Sequence, residues 1–303
     1  MNQLEHIATA PMWGGFIAFV LAMLALDLFV LGGNKAHKVS VRESASWSLA
    51  WIGPAGSELA DRKALEFLSG YLIEKALSVD NIFLFLLIFT SFRVRPEYQH
   101  RVLIYGVLGA IAMRAVMIVA GAWAVEEFHW VLYLFGAFLV MTGLRTLVMV
   151  ARPPNLEKNA VLRMARRYLR VATGDHGAKF IVTQDGVRHV TSLFLVLLLI
   201  EATDLIFAVD SIPAIFAITT DPFIVFTSNI FAILGLRALY FLLANVADRF
   251  HLLRYGLAMV LIFIGAKMLI APWYHVPVPA SLLIVAAVIG ASILASFLMT
   301  RRD

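Results

Sequence analysis

The chain has 303 residues, of which 61% are hydrophobic and 15% are charged, whereas soluble domains carry about 25% charged residues. Its net charge is +5 and it contains no cysteine, which excludes disulfides, thiolate metal sites and cysteine nucleophiles. The basic residues lie in short segments between apolar runs, a pattern typical of membrane proteins and not of nucleic-acid-binding proteins. We therefore expect one transmembrane domain over residues 1–303.

Apolar runs of about 20 residues, long enough for a helix to cross roughly 30 Å of hydrocarbon, follow one another along the chain. The clear runs are about 12–32, 70–92, 102–124, 129–150, 191–217, 223–246, 253–271 and 279–299. A further candidate at 44–56 is short and is interrupted by Gly53 and Pro54. The pattern predicts an all-α polytopic bundle with about nine transmembrane helices.

Loop charges predict the orientation of these helices. If the 44–56 segment crosses the membrane, nearly all loop lysines and arginines fall on one side, and only Arg62 and Lys63 fall on the other. The positive-inside rule then predicts a protein of the cell inner membrane, with its N-terminus outside and its C-terminus in the cytoplasm. The first run has no basic residues before it and contains Asp27, so we interpret it as a retained helix and not a cleaved signal.

The only long loop between apolar runs is 151–190, which we expect to be cytoplasmic. The spacing from Leu156 to about Val171 predicts a helix with an arginine-rich face that lies on the lipid headgroups. Residues 180–183 and 187–190 flank a Gln-Asp-Gly turn, which predicts a β-hairpin. The loop contains no catalytic constellation, so we interpret it as structural or regulatory.

An internal repeat links the two halves of the chain. The segments EKALSVDNIF at 74–83 and DLIFAVDSIP at 204–213 share an acid, an Asp six positions later, then Asn or Ser, then Ile. Downstream, Arg114 matches Arg237 in the same order. Each copy contains three helices, about 70–150 and 191–271. Because the charge rule makes equivalent helices run in opposite directions, we predict inverted repeats with a substrate site at their interface.

Six acidic residues fall within the membrane runs: Asp27, Glu74, Asp80, Glu201, Asp204 and Asp210. An isolated charge in a membrane costs on the order of 2.5–3.5 kcal/mol, so these groups need protons, arginines or a metal ion to neutralise them. Arg114 and Arg237 stand in the middle of their helices and are expected to balance charge. A purely structural set of ion pairs is the alternative, but two arginines leave most of the six acids without a partner.

Spacing adds neutral oxygen ligands to the acids. Asn81 lies seven residues after Glu74, and Ser211 lies seven residues after Asp204, so each pair shares one helix face. The antiparallel arrangement should bring Glu74 to the level of Asp210, and Asp80 to that of Asp204. Carboxylate, amide and hydroxyl oxygens suit hard cations such as Mg²⁺, Ca²⁺ and Mn²⁺. We expect such an ion as transported substrate, with no organic cofactor.

Three segments carry a family resemblance: GYLIEKALSVDNIF at 70–83, PEYQHRVLIYGVLGA at 96–110, and the stretch 201–244. They resemble the TerC family of integral membrane proteins, which is named after tellurium resistance. Its bacterial members are similar to manganese exporters of the wider LysE-like group. The resemblance implies Mn²⁺ as the transported ion, and it implies metal handling by Asp27, Glu74, Asp80, Asn81, Glu201, Asp204, Asp210 and Asn229. The stretch 47–67 is shorter than in the family, which implies a truncated or re-entrant second helix.

Three functions compete on these observations. The leading one is a Mn²⁺ exporter coupled to protons through its carboxylates. The alternative is a membrane scaffold in metal or tellurite stress, whose basic 151–190 loop recruits cytosolic partners, but a scaffold would not need six intramembrane acids. An intramembrane hydrolase would need a nucleophile paired with a base, and Ser211 has no histidine within the membrane runs. We therefore expect a transporter and not an enzyme.

Overall fold

The computed structural model describes residues 9–29, 57–149, 159–174, 176–236, 239–240, 252–274 and 276–300. These ranges contain the helices α1 (Ala10–Phe29), α2 (Ser57–Ser91), α3 (Pro96–Glu127), α4 (Val131–Met149), α5 (Ala160–Tyr168), α6 (Ser192–Phe216), α7 (Pro222–Leu234), α8 (Leu253–Ile270) and α9 (Val278–Thr300). Two short strands, β1 (Ile181–Gln184) and β2 (Val187–Val190), form the only sheet within these ranges.

Five helices (α3, α4, α6, α8 and α9) are long and apolar enough to cross a membrane. Shorter apolar stretches lie in α1 and α7. The prediction of a helical, multi-pass architecture is therefore confirmed in this general form. The 44–56 segment lies outside the described residues, so the expected count of nine crossings stays a prediction.

Helix α2 begins well before its apolar run, at Ser57 and not near residue 70. Hydropathy detects only the apolar part of a helix, whereas this extension is polar and partly buried. Lys63 Nζ lies 3.0 Å from Glu66 and 3.5 Å from Asp221, the N-terminal cap of α7. The Thr219 hydroxyl also donates to Glu66, at 2.7 Å. These buried polar contacts fasten the start of α2 to the turn between α6 and α7.

Helix α7 ends at Leu234, although the apolar run predicted a continuous helix to about residue 246. At Gly235 the backbone N–H bonds to the carbonyl of Ile233, two residues back, so the regular α-helical pattern is lost there. Helical backbone resumes at Leu236. Glycine has the weakest helix propensity after proline, and a hydropathy average does not register it.

The segment between α4 and α6 matches its predicted elements. Strands β1 and β2 pair antiparallel with Gln184 opposite Val187. Asp185 and Gly186 between them both have positive φ, 51° and 75°, as a two-residue type I′ turn requires. The predicted basic helix is α5, which is shorter than the expected 156–171 because Asn159 caps its start and the backbone becomes extended at Leu169. The hairpin prediction is confirmed.

Three pairs of helices make extensive contacts. Helix α3 packs along α6, α7 packs along α2, and α4 packs along α8. Helices α2 and α6 cross antiparallel, because Asn81 meets Asp204 at one level and Gly70 meets Ile215 at another. Residues 74–81 of α2 and 204–211 of α6 therefore face each other in the interior.

Helices α4 and α8 touch through their backbones. A Cβ atom at Gly265 would lie 2.6 Å from the carbonyl oxygen of Gly136, and one at Gly143 would lie 2.8 Å from that of Ala258. Gly136, the earlier residue on α4, meets Gly265, the later residue on α8, so these two helices are also antiparallel. Small residues allow such close approach, which is how helices associate within membranes.

We expect Gly265→Ala to lower thermal stability clearly, because its methyl group cannot fit without moving the α4 backbone. Overpacking of this kind costs about 1–3 kcal/mol. Gly290→Ala on α9 is the matched control, since a Cβ there meets nothing within 4 Å and should be neutral or slightly stabilising. Melting curves of the two variants in detergent measure the difference. Equal stability of both variants would show that α4 and α8 do not make this contact.

Candidate cation site around Arg114

Arg114 of α3 lies in the interior of the helices with 1% of its surface exposed. Its Nε and Nη2 donate to the two carboxylate oxygens of Asp204, at 3.2 and 3.0 Å. Its Nη1 donates to the carboxylate of Glu74. Both acids are buried, with 1% exposure for Glu74 and 2% for Asp204. One guanidinium group therefore joins carboxylates from α2 and α6, in the fork geometry that arginine favours.

Helix α7 contributes an amide to this site. The side-chain nitrogen of Asn229 donates to Glu74 at 3.2 Å, and its oxygen accepts from Arg114 Nη1 at 3.1 Å. Asn229 reaches Glu74 because α7 lies close to α2 at Gly70, where a Cβ would come within 2.8 Å of Ser228 Oγ. A larger residue at position 70 would separate the two helices. The resemblance alone had pointed to Asn229, and no spacing rule predicts this contact.

Neutral groups of α2 and α6 complete the site. Asn81 Nδ2 donates to Asp204 at 3.4 Å, and Ser211 Oγ accepts from Arg114 Nη1 at 3.5 Å. Both residues are 1% exposed. They lie where their seven-residue spacing from an acid places them, on the same helix face as that acid.

Two buried oxygens of α2 have no hydrogen-bond partner in the described structure, Ser78 Oγ and Asn81 Oδ1. Ser78 is 1% exposed and lies one helical turn after Glu74, between it and Asn81. Nearly all buried polar atoms in proteins are hydrogen-bonded, so two orphans on one face are unusual. Free acceptor oxygens beside carboxylates are the ligands that a hard cation needs. Ser78 was missed in the sequence, although its spacing from Glu74 could have identified it.

Two of the predicted acids, Asp210 and Glu201, have contacts outside this site, although Glu201 lies close enough to Asp204 for the two carboxylates to repel each other. Asp210 lies beside Thr142, which donates a hydrogen bond to it, and near Arg145 on α4. Glu201 lies against α3 at Gly109, where a Cβ atom would meet its carboxylate. Six residues of helix turn a side chain by about 120°, so Asp210 cannot share the face of Asp204. Asp210 therefore does not share the Arg114 site with Asp204 in the described structure, and its metal-handling role stays a prediction.

The remaining predicted residues lie outside what the structure describes: the side chains of Asp27 and Asp80, and Arg237 as a whole. Their metal-handling and charge-balancing roles stay predictions. Among the described residues, no group of three or more histidines, aspartates and glutamates stands close enough to hold a metal ion. The described site thus offers two carboxylates with amide and hydroxyl oxygens, and Arg114 occupies it.

We predict that Glu201, unlike Asp204, is not needed for the stability of the fold. It is half-buried, and no cation lies within ion-pair distance of it among the residues described here. We expect Glu201→Gln to fold as stably as the parent or better, since the amide removes an unpaired intramembrane charge. Asp204→Asn is the comparison variant. It should lower the melting temperature, because it removes a charged partner of Arg114. A thermal melt in detergent measures both, and marked destabilisation by Glu201→Gln would reveal a hidden partner.

The fold and this site define a class of protein, a multi-pass helical membrane protein with a buried charged centre. The profile described as "Integral membrane protein TerC family" matches residues 59–303. The chain therefore belongs to the TerC family, as its motifs predicted. The described members of the Arg114 site all fall within the matched region.

Curated relatives match over nearly their whole length. The chain is 47% identical over 301 residues, 94% of each chain, to a proposed membrane-bound redox modulator, Alx, of Escherichia coli K12. The Alx protein of Salmonella typhi matches equally well, at 47% over 94% of each chain. An uncharacterized membrane protein of Myxococcus xanthus, STKORF319, is 46% identical over 308 residues, covering 99% of this chain and 96% of that protein. No solved structure matches.

Proposed function

We propose that this chain exports a hard divalent cation, Mn²⁺ first among the candidates, through the site around Arg114. The observation that carries the proposal is a pair of buried carboxylates, Glu74 and Asp204, from two antiparallel helices with unpartnered oxygens beside them. The three charges of Glu74, Asp204 and Arg114 sum to −1, which favours a further cation. Oxygen-only ligands favour Mg²⁺, Ca²⁺ or Mn²⁺ over softer metals, and the family resemblance favours Mn²⁺ among these.

The architecture we propose for this transporter is a pair of inverted repeats, α2–α4 and α6–α8, within a single transmembrane domain. Residues of α4 correspond to residues of α8 at an offset of 122, so Gly136 matches Ala258 and Gly143 matches Gly265. Exchanging the repeats converts the Gly136–Gly265 contact into the Ala258–Gly143 contact, and both occur. This supports a twofold axis in the membrane plane. The basic loops would face the cytoplasm of an inner-membrane protein.

Arg114 must move for the cation to bind. In the described state its guanidinium group uses the carboxylate oxygens of Glu74 and Asp204 that a metal ion would need. We propose that Arg114 stabilises the empty carrier and withdraws when the ion arrives. An arginine that binds the empty site would prevent its two acids from repelling each other during the return step. Protons would compete for the same carboxylates, so transport should weaken in acid.

A thiol-based redox role, which the name of the Alx relatives could suggest, has no basis in the side chains of this chain, since it contains no cysteine. The scaffold remains a second candidate, because α5 exposes three arginines, Arg163, Arg166 and Arg167. These could bind an acidic cytosolic partner. Replacing all three with glutamine should leave metal transport unchanged if the transporter proposal is correct.

The test of the proposed function is metal flux into proteoliposomes of purified protein, comparing Mn²⁺, Ca²⁺, Mg²⁺ and Zn²⁺. We expect Mn²⁺ flux to exceed Zn²⁺ flux and to decline as the pH falls. Calorimetric titration of the same protein with Mn²⁺ provides the binding measurement. Folded protein that neither binds nor transports any of these ions would overturn the proposal and favour the scaffold.

A further inference from the structure

Lys75 follows Glu74 in sequence, but it faces a different part of the molecule. Its Nζ donates to the carbonyl oxygen of Ala232, near the end of α7, at 3.3 Å. The same atom lies 5.9 Å from the centre of the Tyr71 ring, which is 1% exposed. Lys75 itself is half-buried. Its ammonium group is therefore held between α2 and α7 by contacts with Ala232 and Tyr71.

The ammonium group lies at the break in α7. This helix has 13 residues and is interrupted at Gly235, and helical backbone resumes at Leu236. A Cβ atom at Gly235 would lie 2.3 Å from Lys75 Nζ, so glycine at this position leaves the space that the ammonium group fills. Carbonyl oxygens beside such an interruption are open to donors other than the helix backbone, and that of Ala232 accepts from Lys75 Nζ.

A carboxylate partner does not explain the position of Lys75. No acid lies within ion-pair distance of its Nζ in the described parts of the chain; Glu74 is close enough to attract the ammonium group, but its carboxylate is bonded to Arg114 and Asn229. The groups that surround the ammonium are a backbone carbonyl and an aromatic face, both of which attract small cations. In secondary transporters, the carbonyl ends of broken helices bind co-transported monovalent cations.

We propose that the interruption of α7 at Gly235 forms a cation-binding site and that the Lys75 ammonium group fills it. The side chain takes the place that a small monovalent cation would otherwise fill, so the wild-type protein needs no such ion to hold the break in shape. Removing the Lys75 side chain beyond its Cβ should leave this cation-binding site open to a free monovalent cation. The inference does not depend on which ion the Arg114 site transports.

The experiment compares thermal stability of the purified full-length protein in a buffer whose only cation is the bulky N-methylglucammonium. Lys75→Ala should melt lower than wild type, and methylammonium or Na⁺ at about 100 mM should raise its melting temperature by a few degrees, because a ligand that binds only the folded state stabilises it. Wild type should not respond. Lys75→Met fills the space without a charge and should not respond either.

Two further variants keep the outcome decisive. Lys267→Ala removes a half-buried lysine of α8 and reports any general effect of these salts. Gly235→Ala should destabilise wild type more than it destabilises the Lys75→Ala variant, because the clash is with the lysine. If Lys75→Ala is recovered only in aggregated form, adding methylammonium during purification should restore folded protein. A Lys75→Ala variant that equals wild type, or that responds to none of these cations, would overturn the proposal.

Discussion

Arg114→Leu should prevent the protein from accumulating in a folded state. The substitution leaves Glu74 and Asp204 buried, close together and without a cation. Removing one partner of a buried ion pair costs about 3–5 kcal/mol, a large part of the roughly 5–15 kcal/mol that stabilises a folded protein. Size-exclusion chromatography in detergent, followed by a thermal melt, measures the loss.

A triple variant tests whether charge is the cause. Arg114→Leu combined with Glu74→Gln and Asp204→Asn removes all three charges and should recover much of the folded yield. Arg163→Leu, at an exposed arginine of α5, is the control and should behave like the parent. If the triple variant is as unstable as Arg114→Leu alone, the arginine stabilises the fold through packing and not by pairing with the two acids.

Glu74→Gln and Asp204→Asn should each weaken Mn²⁺ binding by at least about tenfold, which corresponds to 1.4 kcal/mol. Each amide keeps the shape of the acid while the charge of the site rises from −1 to 0. A neutral empty site should still fold, but it has lost half of its carboxylates for a doubly charged ion. Calorimetric titration gives the affinity, and proteoliposome flux should fall in parallel.

Two other acids serve as controls for this loss. Glu127→Gln changes an exposed residue at the end of α3 and should leave binding unchanged. Asp210→Asn should have a smaller effect than Asp204→Asn, because its carboxylate contacts Thr142 of α4 and not Arg114. Unchanged Mn²⁺ affinity in Asp204→Asn would remove the Arg114 site from the transport mechanism.

The apolar parts of the helices and two of the buried acids, Glu74 and Asp204, could be predicted because both leave simple signals. Apolar runs of membrane length reveal helices, and an acid within such a run is rare enough to be noticed. Seven-residue spacing also placed Asn81 and Ser211 correctly, since residues on one helical face stay together in any packing. The hairpin was predictable for a similar reason, because Asp185 and Gly186 suit a specific turn.

The contacts between helices were less predictable. Whether Asp210 faces the Arg114 site or α4 depends on how α6 is rotated about its own axis. Packing against the other helices sets this rotation, and no short stretch of sequence specifies it. Serine occurs on any face of a helix, so the sequence alone does not show that Ser78 is buried. Its burial becomes visible only when α2 is packed against the other helices. Gly235 leaves the space that Lys75 Nζ fills, but Lys75 lies 160 positions earlier in the chain, so no short window of sequence shows the two together.

The glycine contacts between α4 and α8 have a consequence for movement. The carbonyl oxygens of Gly136 and Ala258 lie where side chains at positions 265 and 143 would be. Two helices in backbone contact cannot shift past each other without a clash, so we expect α4 and α8 to stay together while the carrier changes state. Distances between α4 and α8 should therefore remain constant through the transport cycle, whereas distances from this pair to the helices of the Arg114 site should change.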